Sequence, residues 1–365
     1  MRPILHPKLV NGRYGDPTLY IELQFEAQAI LVDLGDISTL PTRKIQRLEH
    51  IFVSHAHIDH FYGFDRLLRT LVGREKTLNL YGPTDFIDQV GHKLQAYRWN
   101  LADRYDCDLV FIVTEIVSPE AIRTARFRLS RAFSPEMDEQ RRIDGGAIHD
   151  VSAFRVRTAI LEHRTPCLAF AIQESLHVNI WKNRLVELGL PVGPWLRRLK
   201  RLVLEKEADD VPVRVDDGSD SRELPLGLLR SAVRLTPGQK IGYVTDVADT
   251  PSNRMLIIDL VRHADMLFIE APFATADAAL AAQRAQLTTA AAGEIARGAE
   301  VRRVEPFHFS PRYEGEEEEM VKEVMAAFEG ETMRPGSSSA VRAGSAGHGL
   351  GRSTRNQNRG APTEQ

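Results

Sequence analysis

Ile51-Phe52-Val53-Ser54-His55-Ala56-His57-Ile58-Asp59-His60 carries an apolar, β-prone run directly into an H-x-H-x-D-H pattern. Imidazole and carboxylate groups suit borderline divalent cations such as zinc, and three histidines with one aspartate nearly fill a coordination shell. The alternate spacing of His55 and His57 lets both reach one ion from an extended loop that leaves a strand. Asp59 and His60 follow so closely that they face a second ion more naturally than they crowd the first. The bland alternative is a His-rich surface turn or a single structural ion. The apolar approach and the adjoining Asp-His pair fit a metal centre better.

Outward from this loop the pattern is that of α/β layering. Leu19-Tyr20-Ile21-Glu22-Leu23-Gln24-Phe25 alternates, and Ala29-Ile30-Leu31-Val32-Asp33-Leu34-Gly35-Asp36 is a second strand ending in a glycine turn, so the two read as a hairpin. Residues 42–49 read as a short helix, 64–72 and 85–98 as helices, and Leu78-Asn79-Leu80-Tyr81-Gly82-Pro83 as a strand. Residues 109–113 and 154–160 are strand-like, and the charged stretch 123–146 reads as an elaborated surface hairpin. Three more metal-competent residues lie just past strand-like runs. They are His163, Asp246 at the end of Lys240-Ile241-Gly242-Tyr243-Val244-Thr245-Asp246, and His308 at the end of Val301-Arg302-Arg303-Val304-Glu305-Pro306-Phe307-His308. Open α/β sheets place ligand crevices at the carboxyl ends of their strands. A lone histidine is more often structural and a lone aspartate more often a cap, but four such segments together are harder to dismiss. They supply seven donors, with a carboxylate available to bridge two ions.

Composition bounds the answer. The 365 residues allow one large domain or two ordinary ones, and a formal net charge of −3 leaves any nucleic-acid affinity to local patches. The two cysteines, Cys107 and Cys167, are far apart and suit a reducing compartment. The N-terminus has no apolar signal region, and no apolar run is long enough to span a bilayer. The expectation is a soluble cytoplasmic protein with no membrane contact.

These motifs resemble the metallo-β-lactamase superfamily, and within it are most similar to the ribonuclease Z family of tRNA 3′-processing endonucleases. The likeness runs with gaps over residues 29–328. It rests on the histidine loop, Leu80-Tyr81-Gly82-Pro83, His163 with its following strand, Tyr243-Val244-Thr245-Asp246, Ile269-Glu270-Ala271-Pro272-Phe273 and Pro306-Phe307-His308-Phe309-Ser310-Pro311-Arg312-Tyr313. The resemblance implies an αβ/βα sandwich over residues 1–331, an arm inserted at 174–239, and a homodimer. It implies two zinc ions per subunit, for which Mn2+ or Fe2+ could substitute. His55, His57 and His163 would hold one ion, Asp59, His60 and His308 the other, with Asp246 between them.

Two ions roughly 3.5–4 Å apart can lower the pKa of a shared water and clamp both oxygens of a phosphodiester displacement. Asp59 is the expected general base. The family joins a His-Glu-Ala-Thr stretch to a His-Ser-Thr stretch where the leaving oxygen departs. This chain retains the acid as Glu270, expected to be catalytic, but Gln286-Leu287-Thr288 has glutamine in place of histidine, and an amide cannot shuttle a proton. The N-terminal stretch His6-Pro7-Lys8-Leu9-Val10-Asn11-Gly12-Arg13-Tyr14-Gly15-Asp16-Pro17 also lacks the family's glycine-rich pattern.

The arm carries Gly193-Pro194, which would sit at the tRNA-clamping end. Arg197, Arg198, Lys200 and Arg201 follow as a basic footprint, and Trp195 offers a stacking or packing surface. An ordinary solvated helix face is the competing reading. Residues 205–223, rich in Asp and Glu, read as a flexible link. Arg312 is placed to reach a substrate phosphate, with a structural salt bridge as its alternative. Residues 276–297 read as one Ala-rich helix, 316–319 as the acidic start of the last helix, and 332–365 as a disordered tail. The function expected is a zinc-dependent phosphodiesterase or endoribonuclease acting on precursor tRNA. The alternatives are a hydrolase of a smaller phosphodiester or other ester, and a non-catalytic RNA-binding relative.

Overall fold

Apolar residues alternate along the strands so that each sheet buries both faces. In the strand Thr165–Glu174, Leu168, Phe170 and Ile172 enter one core while Ala169 and Ala171 enter another. A pattern apolar on both sides belongs to strands covered on both faces. The computed structural model describes residues 4–24, 26–151, 153–216 and 221–331, and these fall in one compact unit. The tail expected at 332–365 lies outside the described residues.

The first sheet runs β1 (Leu5–Leu9), β2 (Leu19–Leu23), β3 (Ala29–Val32), β4 (Leu48–Phe52), β5 (Lys76–Gly82), β6 (Leu109–Ser118) and β7 (Ala121–Arg128) in spatial order. Two short strands, β8 (Pro135–Met137) and β9 (Arg141–Arg142), both pair with β7. Strands β3 to β6 are mutually parallel. The second sheet begins with β10 (Ala147–Asp150), β11 (Phe154–His163) and β12 (Thr165–Glu174). The chain then leaves for an arm built from β13 (His177–Ile180), β14 (Pro212–Asp216), β15 (Ser221–Pro225) and β16 (Val233–Thr236), in which β13 pairs β16 and β14 pairs β15. It returns as β17 (Lys240–Val244), β18 (Met266–Glu270) and β19 (Val304–Phe307), giving the order β10-β11-β12-β17-β18-β19.

Residues of both sheets, among them Ile30, Phe52, Phe170, Tyr243 and Phe307, share the core between the layers. Helices Phe64–Leu71 and Phe86–Gln95 cover the outer face of the first sheet. Helices Pro251–Val261, Thr289–Gly298 and Glu317–Glu329 cover that of the second. This is the expected αβ/βα sandwich.

Four local readings change. The helix expected over 42–49 ends at Gln46, because Leu48 already pairs with Ala29 in the sheet. The stretch 123–146 is not all surface hairpin, since β7 buries Ala125 and Phe127. Within 205–223, of which 217–220 lie outside the described residues, the stretch up to 216 is not a loose link: Val213 and Val215 are buried in the arm's core. The Ala-rich helix is two helices, Ala278–Arg284 and Thr289–Gly298, because Ala285 turns left-handed at φ 54° and the Thr288 hydroxyl caps the second by accepting from the Ala291 N–H.

On β4, His50 packs between the sheets with its ring 4.3 Å from that of His149, and its buried Nδ1 has no partner. Burial, with a smaller push from His149, moves its pKa from the ordinary 6.5 down to about 3. A depressed base is neutral in the fold and charges more readily in the unfolded chain. The stability tied to His50 is therefore complete above the unfolded value and is lost as pH falls from about 6.5 toward 3, at up to about 1.4 kcal/mol per pH unit. Urea midpoints measured across that range will fall less steeply in His50→Leu than in the parent protein.

Candidate metal centre

Strand direction brings the donors to one edge. β11 runs antiparallel to β12, which runs antiparallel to β17, so β11, β17, β18 and β19 all point the same way. Their carboxyl ends deliver His163, Asp246, Glu270 and His308, while the end of β4 delivers the histidine loop. The loop lies directly on the chain that follows β3. The Gly63 N–H donates to the Leu34 carbonyl at 2.8 Å, and a Cβ on Gly63 would meet the Gly35 carbonyl oxygen at 2.1 Å. Only glycine permits so close an approach.

Two groups of side chains can each hold a metal ion, with every ligand atom of a group within 4.8 Å of the others. They are His55, His57, His163 and Asp246, and Asp59, His60, Asp246 and His308. Asp246 is common to both. Its Oδ2 lies 3.0 Å from His60 Nε2, 3.3 Å from His55 Nε2 and 3.9 Å from His163 Nε2, and its Oδ1 lies 3.1 Å from His308 Nδ1. Asp59 Oδ2 is 3.4 Å from His60 Nε2 and 3.5 Å from His308 Nε2. All seven expected ligands are thus brought together.

An inner set of groups orients the rings. The Asp33 carboxylate accepts from the Ser54 N–H at 2.7 Å, the Ser54 hydroxyl at 2.9 Å and the Tyr243 hydroxyl at 2.7 Å, and pairs with His60 Nδ1 at 2.8 Å. Asp33 holds His60 through Nδ1, and His60 Nε2, which faces the Asp246 carboxylate, is buried without a hydrogen-bond partner. A buried imidazole nitrogen and a carboxylate oxygen 3.0 Å apart are close enough to be neighbouring ligands of one cation. His163 Nδ1 is likewise fixed, donating to the Ala285 carbonyl at 2.8 Å.

Charges follow this crowding. Burial opposes ionisation of Asp59, yet His308 and His60 outweigh it and hold its carboxyl far below the ordinary range. Burial likewise opposes ionisation of Asp246, and the same two imidazoles hold it well down. His60 and His308 are lowered by burial but raised further by the carboxylates, a net rise, while burial leaves His55 and His57 lowered. Burial pushes Glu270 up to about 7.

A cleft of about 470 Å³ opens on Asp59, Gln286 and His308, with Tyr14, Arg284 and Arg312 around it. Arg284 is exposed and has no ion pair among the described residues. Arg312 is tethered, its Nη1 3.6 Å from Asp277. Gln286 does not face outward as an acid would, since its amide donates to Asp246 Oδ1 at 2.8 Å. Glu270 is fully buried and reaches the cleft only through others. Its Oε1 accepts the Val247 and Leu287 N–H groups and its Oε2 lies 3.7 Å from His308 Nδ1. Gly193, Pro194, Arg197 and Arg198 sit on the arm and do not line this cleft. Arg197 and Arg198 are exposed, but Trp195 is buried with its indole N–H on the Pro191 carbonyl, so it packs rather than stacks on a ligand.

Sequence reasoning did not assign Asp33, Ser54, Tyr243 or Arg284 to the site. A carboxylate closing the otherwise apolar run Ile30-Leu31-Val32 was a usable sign of Asp33. Nothing in the sequence marked Arg284.

No family model matches the chain. It is 31% identical over 303 residues to ribonuclease Z of Deinococcus radiodurans, covering 82% of this chain and 88% of that protein. Ribonuclease Z of Brevibacillus brevis is 29% identical over 78% of this chain and 75% of its own length. The crystal structure of the metallo-beta-lactamase fold protein YhfI from Bacillus subtilis superposes with a TM-score of 0.50 at 18% identity, covering 88% of this chain and 93% of that one.

Removing Asp33 unlocks the His60 ring and leaves the Tyr243 hydroxyl without its acceptor. Asp33→Ala will bind zinc about 10–100-fold more weakly than the parent protein, the usual cost of losing a group that orients ligands. Isothermal titration of the metal-stripped protein measures it.

Proposed function

This chain belongs to the ribonuclease Z family of metallo-β-lactamase-fold hydrolases, and on that footing we propose that it hydrolyses a phosphodiester of RNA, with the 3′ trailer of precursor tRNA as first candidate, using two zinc ions per subunit. The observation that carries the reading is the pair of ligand groups sharing Asp246, set beside a cleft onto which Asp59 opens. His55, His57 and His163 would hold one ion and Asp59, His60 and His308 the other, with Asp246 between them. The same donors suit Mn2+ or Fe2+. When bound, such a pair supplies Lewis acidity and acidifies an attacking water.

The chain's own groups do the remaining work. Asp59 is the carboxylate of the set that opens onto the cleft, with its side chain 37% exposed, and His60 and His308 keep it ionised. It serves as general base toward water entering the cleft. The Arg284 guanidinium is free to engage the phosphate, and Arg312 adds a second cation held by Asp277. Glu270 acts through His308 and the turn at 286–287 rather than on the substrate. Gly193, Pro194, Arg197 and Arg198 belong to an arm, residues 174–239, that engages RNA away from the reacting bond. Among the described residues no helix is long and apolar enough to cross a membrane. We place the protein in the cytoplasm, which suits the free thiols Cys107 and Cys167, as a homodimer in keeping with the family.

Gln286 favours a second reading, hydrolysis of a smaller phosphodiester or other ester whose leaving group departs without a proton. Its amide is spent on Asp246, and no titratable group stands at that position. Zinc-loaded protein incubated with precursor tRNA and with bis-p-nitrophenyl phosphate separates the two. Cleavage of the tRNA supports the RNA reading, and turnover of the nitrophenyl ester alone supports the second. Asp59→Ala and His60→Ala will abolish both activities; full activity in either variant rejects the site. Deleting residues 175–239 will remove activity on tRNA and spare the small ester.

A proton donor restored at position 286 supplies what the leaving 3′-oxygen lacks. Gln286→His will raise kcat on RNA by about tenfold or more. It will leave bis-p-nitrophenyl phosphate nearly unchanged, because nitrophenolate needs no proton. Initial rates on the two substrates show the split.

A further inference from the structure

The arm has a core of its own. Val178, Leu185, Trp195, Leu199, Val213 and Leu229 are buried among arm residues, and that cluster takes no member from the two sheets. The arm's aim therefore depends on its root, where β12 ends and the chain returns toward β17. One side chain dominates this crossing. Glu174, the last residue of β12, is 3% exposed. Its Oε1 accepts the backbone N–H groups of Ile4 at 2.6 Å and Leu5 at 2.8 Å. Its Oε2 accepts the Gln239 N–H at 3.2 Å and meets His177 Nε2 at 2.8 Å. One carboxylate thus joins the first strand of the molecule, the outgoing arm strand and the returning chain.

The backbone tightens the same point. The Glu174 N–H donates to the Gln239 carbonyl at 2.9 Å, and the Ser175 N–H to the Ala153 carbonyl at 3.1 Å. A Cβ on Gly238 would stand 2.4 Å from Glu174 Cβ and 2.6 Å from two carbonyl oxygens, so the two passes of the chain touch there. Three N–H groups lose their acceptor if the carboxylate goes, that of Leu5 buried and those of Ile4 and Gln239 half-buried, and an orphaned buried donor is costly. Relief comes most easily from separating the passes, which frees the arm to swing.

We propose that Glu174 is a positioning residue that fixes the arm's direction relative to the metal centre and so tunes affinity for long substrates without touching the reacting bond. The catalytic part rests on the RNA reading above; the mechanical part does not. The test labels Val186→Cys on the arm and Met255→Cys on the outer helix of the second sheet, both exposed, with spin labels in a Cys107→Ser background, Cys167 being buried. Pulsed electron resonance reads the distance distribution in the parent, in Glu174→Ala and in Gly238→Ala. The parent will show one narrow distribution, and both substitutions will widen or shift it. Gly238→Ala keeps the test decisive if Glu174→Ala fails to fold. On precursor tRNA, Glu174→Ala will raise KM about tenfold while kcat, and turnover of bis-p-nitrophenyl phosphate, stay within about twofold. An unchanged distribution in every folded variant overturns the clamp, and a parallel loss on both substrates overturns its selectivity. If the parent protein does not cleave tRNA, the RNA reading fails on its own and the label distances still decide the clamp.

Discussion

One carboxylate, sealed from water, is shared by imidazoles from three different strand ends. Asp246 Oδ2 lies within 3.0–3.9 Å of His60, His55 and His163 and its Oδ1 3.1 Å from His308, and such packing of charge in a dry interior is tolerable only when opposite charge surrounds it. The backbone is bent to achieve it. Asp33, Asp246 and His308 all occupy the left-handed region, with φ of 58°, 41° and 58°. Each such residue costs on the order of 1–3 kcal/mol and persists where the surroundings over-determine it. Here those surroundings are two sheets packed face to face, with strand ends set by ladder register before any side chain reaches the centre.

The centre in turn helps to join the sheets. Asp33 follows β3 in the first sheet, Tyr243 belongs to β17 in the second, and the bond between them is buried in the interlayer. The group that aims His60 is thus the group that ties one layer to the other. Orientation of a ligand and cohesion of the sandwich are not separable properties in this molecule. The cleft side is looser, carrying Asp59 and the free Arg284 toward solvent, so a rigid floor is paired with an adaptable mouth.

Much of this was legible in the sequence. The H-x-H-x-D-H stretch after an apolar run located the centre, and His163, Asp246 and His308 could be matched to it because each closes a strand-like run. Local periodicity also placed the outer helices. What stayed hidden depended on contacts distant in sequence. Asp33 reads as a turn residue until Tyr243 and His60 stand beside it. Trp195 at the start of a basic helix suggests a stacking platform, and only the arm's private core shows it facing inward. The acidic stretch 205–223 has linker-like composition, but two buried valines, Val213 and Val215, outweigh the charge around them. No Gly or Pro stands at the break in the Ala-rich run, where Ala285 adopts a conformation that its side chain disfavours.

That break has a further effect. Over two consecutive residues it supplies the Ala285 carbonyl to His163 and the Gln286 amide to Asp246, so one short step of chain leans on a member of one ligand group and on the residue both groups share. Anything that pulls His163 shifts the same peptide that steadies Asp246. The two ligand groups are thereby joined twice, once by the carboxylate they share and once by this step of backbone.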